Sequence, residues 1–169
     1  MKTIEEGSLA FDFPDTWHAT KYDDWVYYRK HFQSSFGGTK AVDILALRAN
    51  HLFYLIEIKD YRIVPRQKDM ELAQEVAEKV RDTLAALFAA RIVASKDSEK
   101  DFAERSVKAT KIVVILHVEQ LTKPTRLHPI EDTTKLQQKL RQLLRAIDPH
   151  PRVTTLTDGN KFGWEVREI

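Results

Sequence analysis

The chain has 169 residues, 43% hydrophobic and 31% charged, with a formal net charge of +2, which suits one soluble domain spanning residues 1–169 with a substantial core. It has no cysteine, so disulfides and thiolate metal sites are excluded. The first residues lack the apolar segment of a signal peptide and the most apolar helical run, 84–94, is too short to span a bilayer, so a cytoplasmic protein without a membrane segment is expected.

Residues 8–22 read as irregular or short extended structure broken at Pro14. Asp23 and Asp24 precede an aromatic run from Trp25 to Gln33. An acidic cap and an aromatic face of Trp25, Tyr28 and Phe32 predict a helix there, although the same residues would also make a strand. Two apolar runs follow, Ala41–Leu47 and Leu52–Tyr61, joined at Arg48–His51, where Asn50 suits a turn. They predict a β-hairpin rich in Ile, Val, Leu, Phe and Tyr.

After a connector around Pro65, apolar residues at helical spacing (Leu72, Val76, Val80, Leu84, Leu87 and Phe88) predict a helix over 67–94 packed on the sheet. Residues 95–108 are charged and read as a loop with one or two helical turns. The run 111–118 reads as a buried strand. Asp132 or Thr133 caps a helix reaching about Ile147, with Leu136, Leu140, Leu143, Leu144 and Ile147 facing inward, and Pro149 and Pro151 end it. Val153–Thr157 and Phe162–Arg167 are expected to form two last strands turning at Asp158-Gly159. The order of elements predicts an α/β domain with helices flanking a small central mixed sheet.

Three charges interrupt the hairpin: Asp43, Glu57 and Lys59. A charge buried in a sheet costs several kcal/mol unless it is paired or binds a metal. Side chains alternate along a strand, so Glu57 and Lys59 share a face. If Arg48 pairs with Leu52, Asp43 falls opposite Glu57, at one end of a face otherwise made of Leu45, Leu47, Phe53 and Leu55. The other face then carries Val42, Ile44, Tyr54, Ile56 and Ile58. A two-residue turn would move Asp43 to that other face, so this register requires an odd loop or a bulge.

An Asp at the start of one strand and Glu57-Ile58-Lys59 on the next resemble the core of the PD-(D/E)XK, or restriction-endonuclease-like, nuclease superfamily. The Pro of that motif is replaced by Val42. The resemblance implies a metal-dependent nuclease that hydrolyses DNA, or RNA, phosphodiesters. Asp43 and Glu57, with the Ile58 backbone carbonyl, would hold Mg2+ or Mn2+, and Lys59 would activate the water or offset phosphate charge. It also implies a candidate acidic residue from an N-terminal helix, among Glu5, Glu6, Asp23 and Asp24 with Asp24 and Asp23 leading, and a site-lining Gln from the long helix, Gln74 or Gln67. The same three charges also read as a buried ion pair, as a solvent-exposed strand end, or as the remnant of a site in a domain that only binds nucleic acid or a protein partner.

Other residues offer weaker leads. Lys135, Lys139 and Arg141 on the penultimate helix suit phosphate contacts as well as a solvated face. His117, Glu119 and His128 are metal-ligand types without a recognised spacing. Asp60 is expected to point away from Glu57 and to pair with a nearby base. Aromatic residues between Trp17 and Tyr28 suit either the core or an interface, including that of a homodimer.

Overall fold

The computed structural model describes residues 1–49, 51–127 and 129–169. The turn role given to Asn50 and the ligand role considered for His128 lie outside these residues. Among the described residues eight strands form two sheets: β1 (Lys2–Glu6), β2 (Leu9–Phe13), β3 (Trp17–Lys21), β4 (Ile44–Arg48), β5 (Leu52–Asp60), β6 (Lys111–Glu119), β7 (Arg152–Thr154) and β8 (Glu165–Glu168). The helices are α1 (Leu72–Val93), α2 (Asp97–Lys108) and α3 (Thr133–Leu144). The protein is thus an α/β fold with mixed sheets and packed helices.

The larger sheet runs β3-β4-β5-β6-β7. The first three strands are an antiparallel meander. The chain then crosses through α1 and α2 and returns as β6, parallel to β5, as a crossover of helical length allows. A smaller sheet, β1-β2-β8, covers the other side. One apolar cluster joins Leu45, Leu47, Phe53 and Leu55 to the inward faces of all three helices. A second joins Ile44, Tyr54, Ile56 and Ile58 to Leu9, Phe11 and Phe13 of the small sheet. The helices therefore lie on one face only, and a second sheet takes the place of the expected second helical layer.

The central hairpin forms in the register that brings its charges together. Arg48 pairs with Leu52 and Ile44 with Ile56, leaving a three-residue connection in which Ala49 takes a left-handed conformation (φ 51°). Regular pairing on β4 begins at Ile44, so Val42 lies outside the strand and joins the helix-side cluster rather than the face of Ile44.

Several other expectations are corrected. The segment 8–22 holds two full strands, with Pro14 accepting the Trp17 N–H in the turn between them. The aromatic run is helical, ending in a wide turn over Tyr28–Phe32. Its exposed amide ends are taken not by Asp23 or Asp24 but by the Glu99 carboxylate, which accepts from Val26 N (2.8 Å) and Tyr27 N (3.0 Å). Residues 97–108 are a complete helix because Glu99, Phe102, Ala103 and Ser106 repeat at helical spacing and are all buried. Asp132 caps α3 as expected, accepting from Thr134 N and Lys135 N. Leu136, Leu140 and Leu144 face inward, whereas Leu143 and, on α1, Phe88 are exposed. The last strands do not form a hairpin. β7 extends the large sheet parallel to β6, and β8 crosses to pair with β2. Trp17, Tyr22, Trp25, Tyr27 and Tyr28 are all buried, so they serve the core and offer no exposed aromatic interface.

Candidate active site

Continued one residue past the Ile44–Ile56 pair, the β4–β5 register places Asp43 opposite Glu57, and alternation along β5 points Glu57 and Lys59 toward α1. Asp43 Oδ2 accepts the Ile58 N–H at 2.6 Å, so the carboxylate is fixed against the backbone of the neighbouring strand. Backbone groups of one strand residue point to the same edge, which puts the Ile58 carbonyl on that side too. Lys59 Nζ lies 2.7 Å from Glu57 Oε1. The three residues singled out in the sequence therefore converge.

α1 adds two residues that the sequence reading did not include. Glu75 and Lys79 are four apart and share a helix face. Lys79 Nζ donates to Glu57 Oε1 at 2.6 Å and stands 3.6 Å from Asp43 Oδ1, so one ammonium links both carboxylates. Glu75, almost wholly buried, receives Arg66 (2.7 Å), Lys68 (2.5 Å) and the more distant Lys59 (3.6 Å). Their interleaving with Leu72, Val76 and Val80 was the available signal, since Glu75 and Lys79 fall on the stripe that the apolar residues mark as inward.

Burial dominates the electrostatics. Glu57 is fully buried, and this, with the neighbouring Asp43, raises its carboxyl to about 7 against the opposing charges of Lys79 and Lys59. Asp43 is raised as well, by burial first, and only partly relieved by Lys79 and the Ile58 N–H. Burial would lower Lys59, but the Glu57 carboxylate outweighs it and the ammonium holds its proton more tightly than usual. Lys59 is therefore a charge and a hydrogen-bond donor at neutral pH, not a base. Glu57 Oε2 is buried without a hydrogen-bond partner among the described residues.

That orphaned oxygen and the strained ionisation of both carboxylates are what a hard divalent ion would relieve. Such an ion accepts few protein ligands and keeps several waters, so Asp43, Glu57 and the Ile58 carbonyl fit it. Among the described residues no group of three or more His, Cys, Asp or Glu side chains could hold a metal, and the ion would displace the Lys79 ammonium from between the carboxylates.

Of the remaining candidates, Asp23 and Gln67 border the site and the others lie elsewhere. Asp24 is exposed, pairs with Arg29 and lines a different cavity, whereas Asp23 lines the cleft beside Asp43 and Lys79. Gln74 is exposed and donates to Glu78 (3.3 Å). Gln67 lines a small pocket next to Lys59. Lys135 and Lys139 are exposed on α3 and Lys139 pairs with Glu71 (2.5 Å); Arg141 is exposed too. Asp60 turns away from Glu57 and is held by Arg62 (2.7 Å) and Ser8 (2.7 Å), as expected. His117 Nε2 lies 3.0 Å from Glu119, buried beside Phe11.

Neither a family model nor a solved structure matches the chain. A curated cysteine–tRNA ligase from Neisseria meningitidis serogroup A / serotype 4A is 33% identical over 160 residues, covering 76% of this chain and 23% of that protein. The chain spans about a quarter of the length of this relative. Among the described residues no helix is long and apolar enough to cross a membrane.

Proposed function

We propose that the protein is a metal-dependent nuclease of restriction-endonuclease-like fold that hydrolyses nucleic-acid phosphodiesters at Asp43, Glu57 and Lys59. The observation that carries this reading is the hairpin register: two buried carboxylates on neighbouring strands come within reach of a single ammonium, with Lys59 beside them. The meander, helical crossover and parallel return strand support the resemblance carried by the motif.

Bound Mg2+ or Mn2+ would supply Lewis-acid polarisation of the phosphate and a water of lowered pKa. Asp43 and Glu57 would each give one oxygen to it, with Asp43 held in place by the Ile58 N–H. Lys59 keeps its proton and donates to the water or to a phosphate oxygen, offsetting charge that grows in the transition state. The similarity to part of a protein named for tRNA leaves RNA beside DNA as a substrate.

The test is cleavage of plasmid, single-stranded DNA and RNA in Mg2+ and in Mn2+, with EDTA as control. Asp43→Ala, Glu57→Ala and Lys59→Ala are each expected to lower turnover by about a hundredfold or more, the usual scale for a lost electrostatic contact. Turnover in all three equal to wild type removes the proposal.

One observation favours a second reading. Lys59 and Lys79 together neutralise Asp43 and Glu57, so the cluster is also complete as a structural ion-pair network in a catalytically inactive domain that binds nucleic acid or a protein. Calorimetry separates the two: a folded wild type that takes up no Mg2+ or Mn2+ at pH 8 favours the inactive domain.

A further inference from the structure

Next to Lys59 lies a second pocket of about 300 Å3, between the end of β5, the loop through Pro65 and the first turns of α1. Its charges do not cancel. Lys59 is matched to Glu57, and Asp60 to Arg62. Glu75 alone faces both Arg66 and Lys68, leaving one positive charge in excess.

The buried carboxylate also fixes the geometry of that excess. Burial would raise Glu75, but hydrogen bonds from Lys68 and Arg66, with the charge of Lys59, hold it at about 2, so it stays ionised and keeps both cations in place. Arg66 is further tied to the Tyr61 hydroxyl (3.1 Å) and the Met70 carbonyl. Lys68 reaches Glu75 with one N–H while its side chain is 61% exposed. A lysine ammonium has three donors. Two of them are left for an anion that arrives from solvent at a site ordered in advance.

The larger cavity of about 600 Å3 between β3 and α2 also carries one formal positive charge in excess, Lys2, Lys21, Lys96 and Arg105 against Asp24, Glu99 and Asp101, but none of Asp43, Glu57 and Lys59 lines it.

We propose that the Arg66–Lys68 pocket binds a backbone phosphate of the nucleic-acid strand, adjacent to the one presented at Asp43, Glu57 and Lys59. This rests on the nuclease reading for its choice of anion. The location follows from Lys59, which belongs to both the pocket and the carboxylate site and so makes them neighbours along one strand.

The experiment is fluorescence anisotropy of a labelled single-stranded oligonucleotide in EDTA, where nothing is cut, across a series of salt concentrations. Lys68→Gln is expected to weaken binding about three- to tenfold and to flatten the slope of log affinity against log salt by about 0.7, the value for one phosphate contact on a single strand. Lys100→Gln, exposed on α2 and outside the pocket lining, is the comparison and keeps the wild-type slope. Unchanged affinity and slope in Lys68→Gln, with a wild-type melting temperature, overturns the proposal, as does a wild type that binds no oligonucleotide. Cleavage is read separately in Mg2+: Lys68-dependent binding without cleavage upholds the phosphate site while sinking the nuclease.

Discussion

Glu57 is the residue on which the site's ionisation turns. Its folded value of about 7 lies above the ordinary 4.5, so the native state holds a proton there that the unfolded chain has released. Between those two values the unfolded state binds fewer protons, and stability falls as pH rises through the window. The cost approaches about 3 kcal/mol at pH 8, an upper figure from the same shift. Glu57→Gln is therefore expected to melt higher than wild type at pH 8, with the gap closing toward pH 5; calorimetric scans across that range check it. A gap that widens toward acid pH contradicts the burial argument. Divalent-ion affinity should run the other way in the wild type, rising through pH 7 as the proton leaves.

Asp43, Glu57 and Lys59 were legible because charges in an apolar hairpin need a reason, and strand alternation said which of them could meet. The role of Lys59 was not legible. Its proton affinity depends on how deeply Glu57 is buried, which no local pattern encodes.

Among the elements, α1 does more than cover the sheet. Its inward stripe carries Glu75 and Lys79 between apolar residues, and farther along Thr83 accepts the Val42 N–H (3.1 Å) at the entrance to β4. Replacing Lys79 by Met leaves two buried carboxylates with only Lys59 to face them, which costs stability unless a cation enters. The variant is expected to melt below wild type in EDTA and to regain stability with added Mg2+ more steeply than wild type does, through linkage to the bound ion. Melting curves over a Mg2+ titration measure this, and a variant indifferent to Mg2+ removes the competition between ammonium and metal.

The hairpin was readable at this scale because its register needed an odd loop, and the three residues between Arg48 and Leu52 provide one. α2 was missed because its charged sequence hides a narrow buried stripe. Glu99 on that stripe is inside for a polar reason, accepting two backbone N–H groups from a segment more than seventy positions earlier.

The whole molecule has three layers, and sequence patterns suggested the wrong third one. β1, β2 and β8 are short, and β8 is distant in the chain from the other two, so their common apolar face is visible only once the ends have met. What seals that face is an aromatic group. Gly163, at φ 93°, lies where a Cβ would come within 3.3 Å of the Trp17 ring. It delivers Trp164 against Phe13 (5.6 Å), Tyr54 (5.5 Å), Trp17 (5.7 Å) and Phe162 (5.4 Å). Trp164→Ala should cost about 3–5 kcal/mol, the usual range for a buried aromatic, read from the urea midpoint. A loss below 1 kcal/mol would mean that the two sheets are not coupled through this residue.

The pairing of β8 with β2 has a kinetic corollary. Arg167 reaches Asp12 (2.8 Å) across a sequence separation of 155 residues, and the Ile169 N–H closes on the Ser8 carbonyl (3.0 Å). Such a ladder pays nearly the full loop-closure entropy of the polypeptide before its first bond forms. The β4–β5 hairpin, and with it the meeting of Asp43 and Glu57, closes locally and early by comparison. Until the late ladder zips, the local β1–β2 hairpin is left with an unpaired β2 edge, which is what a nascent chain would offer to its neighbours.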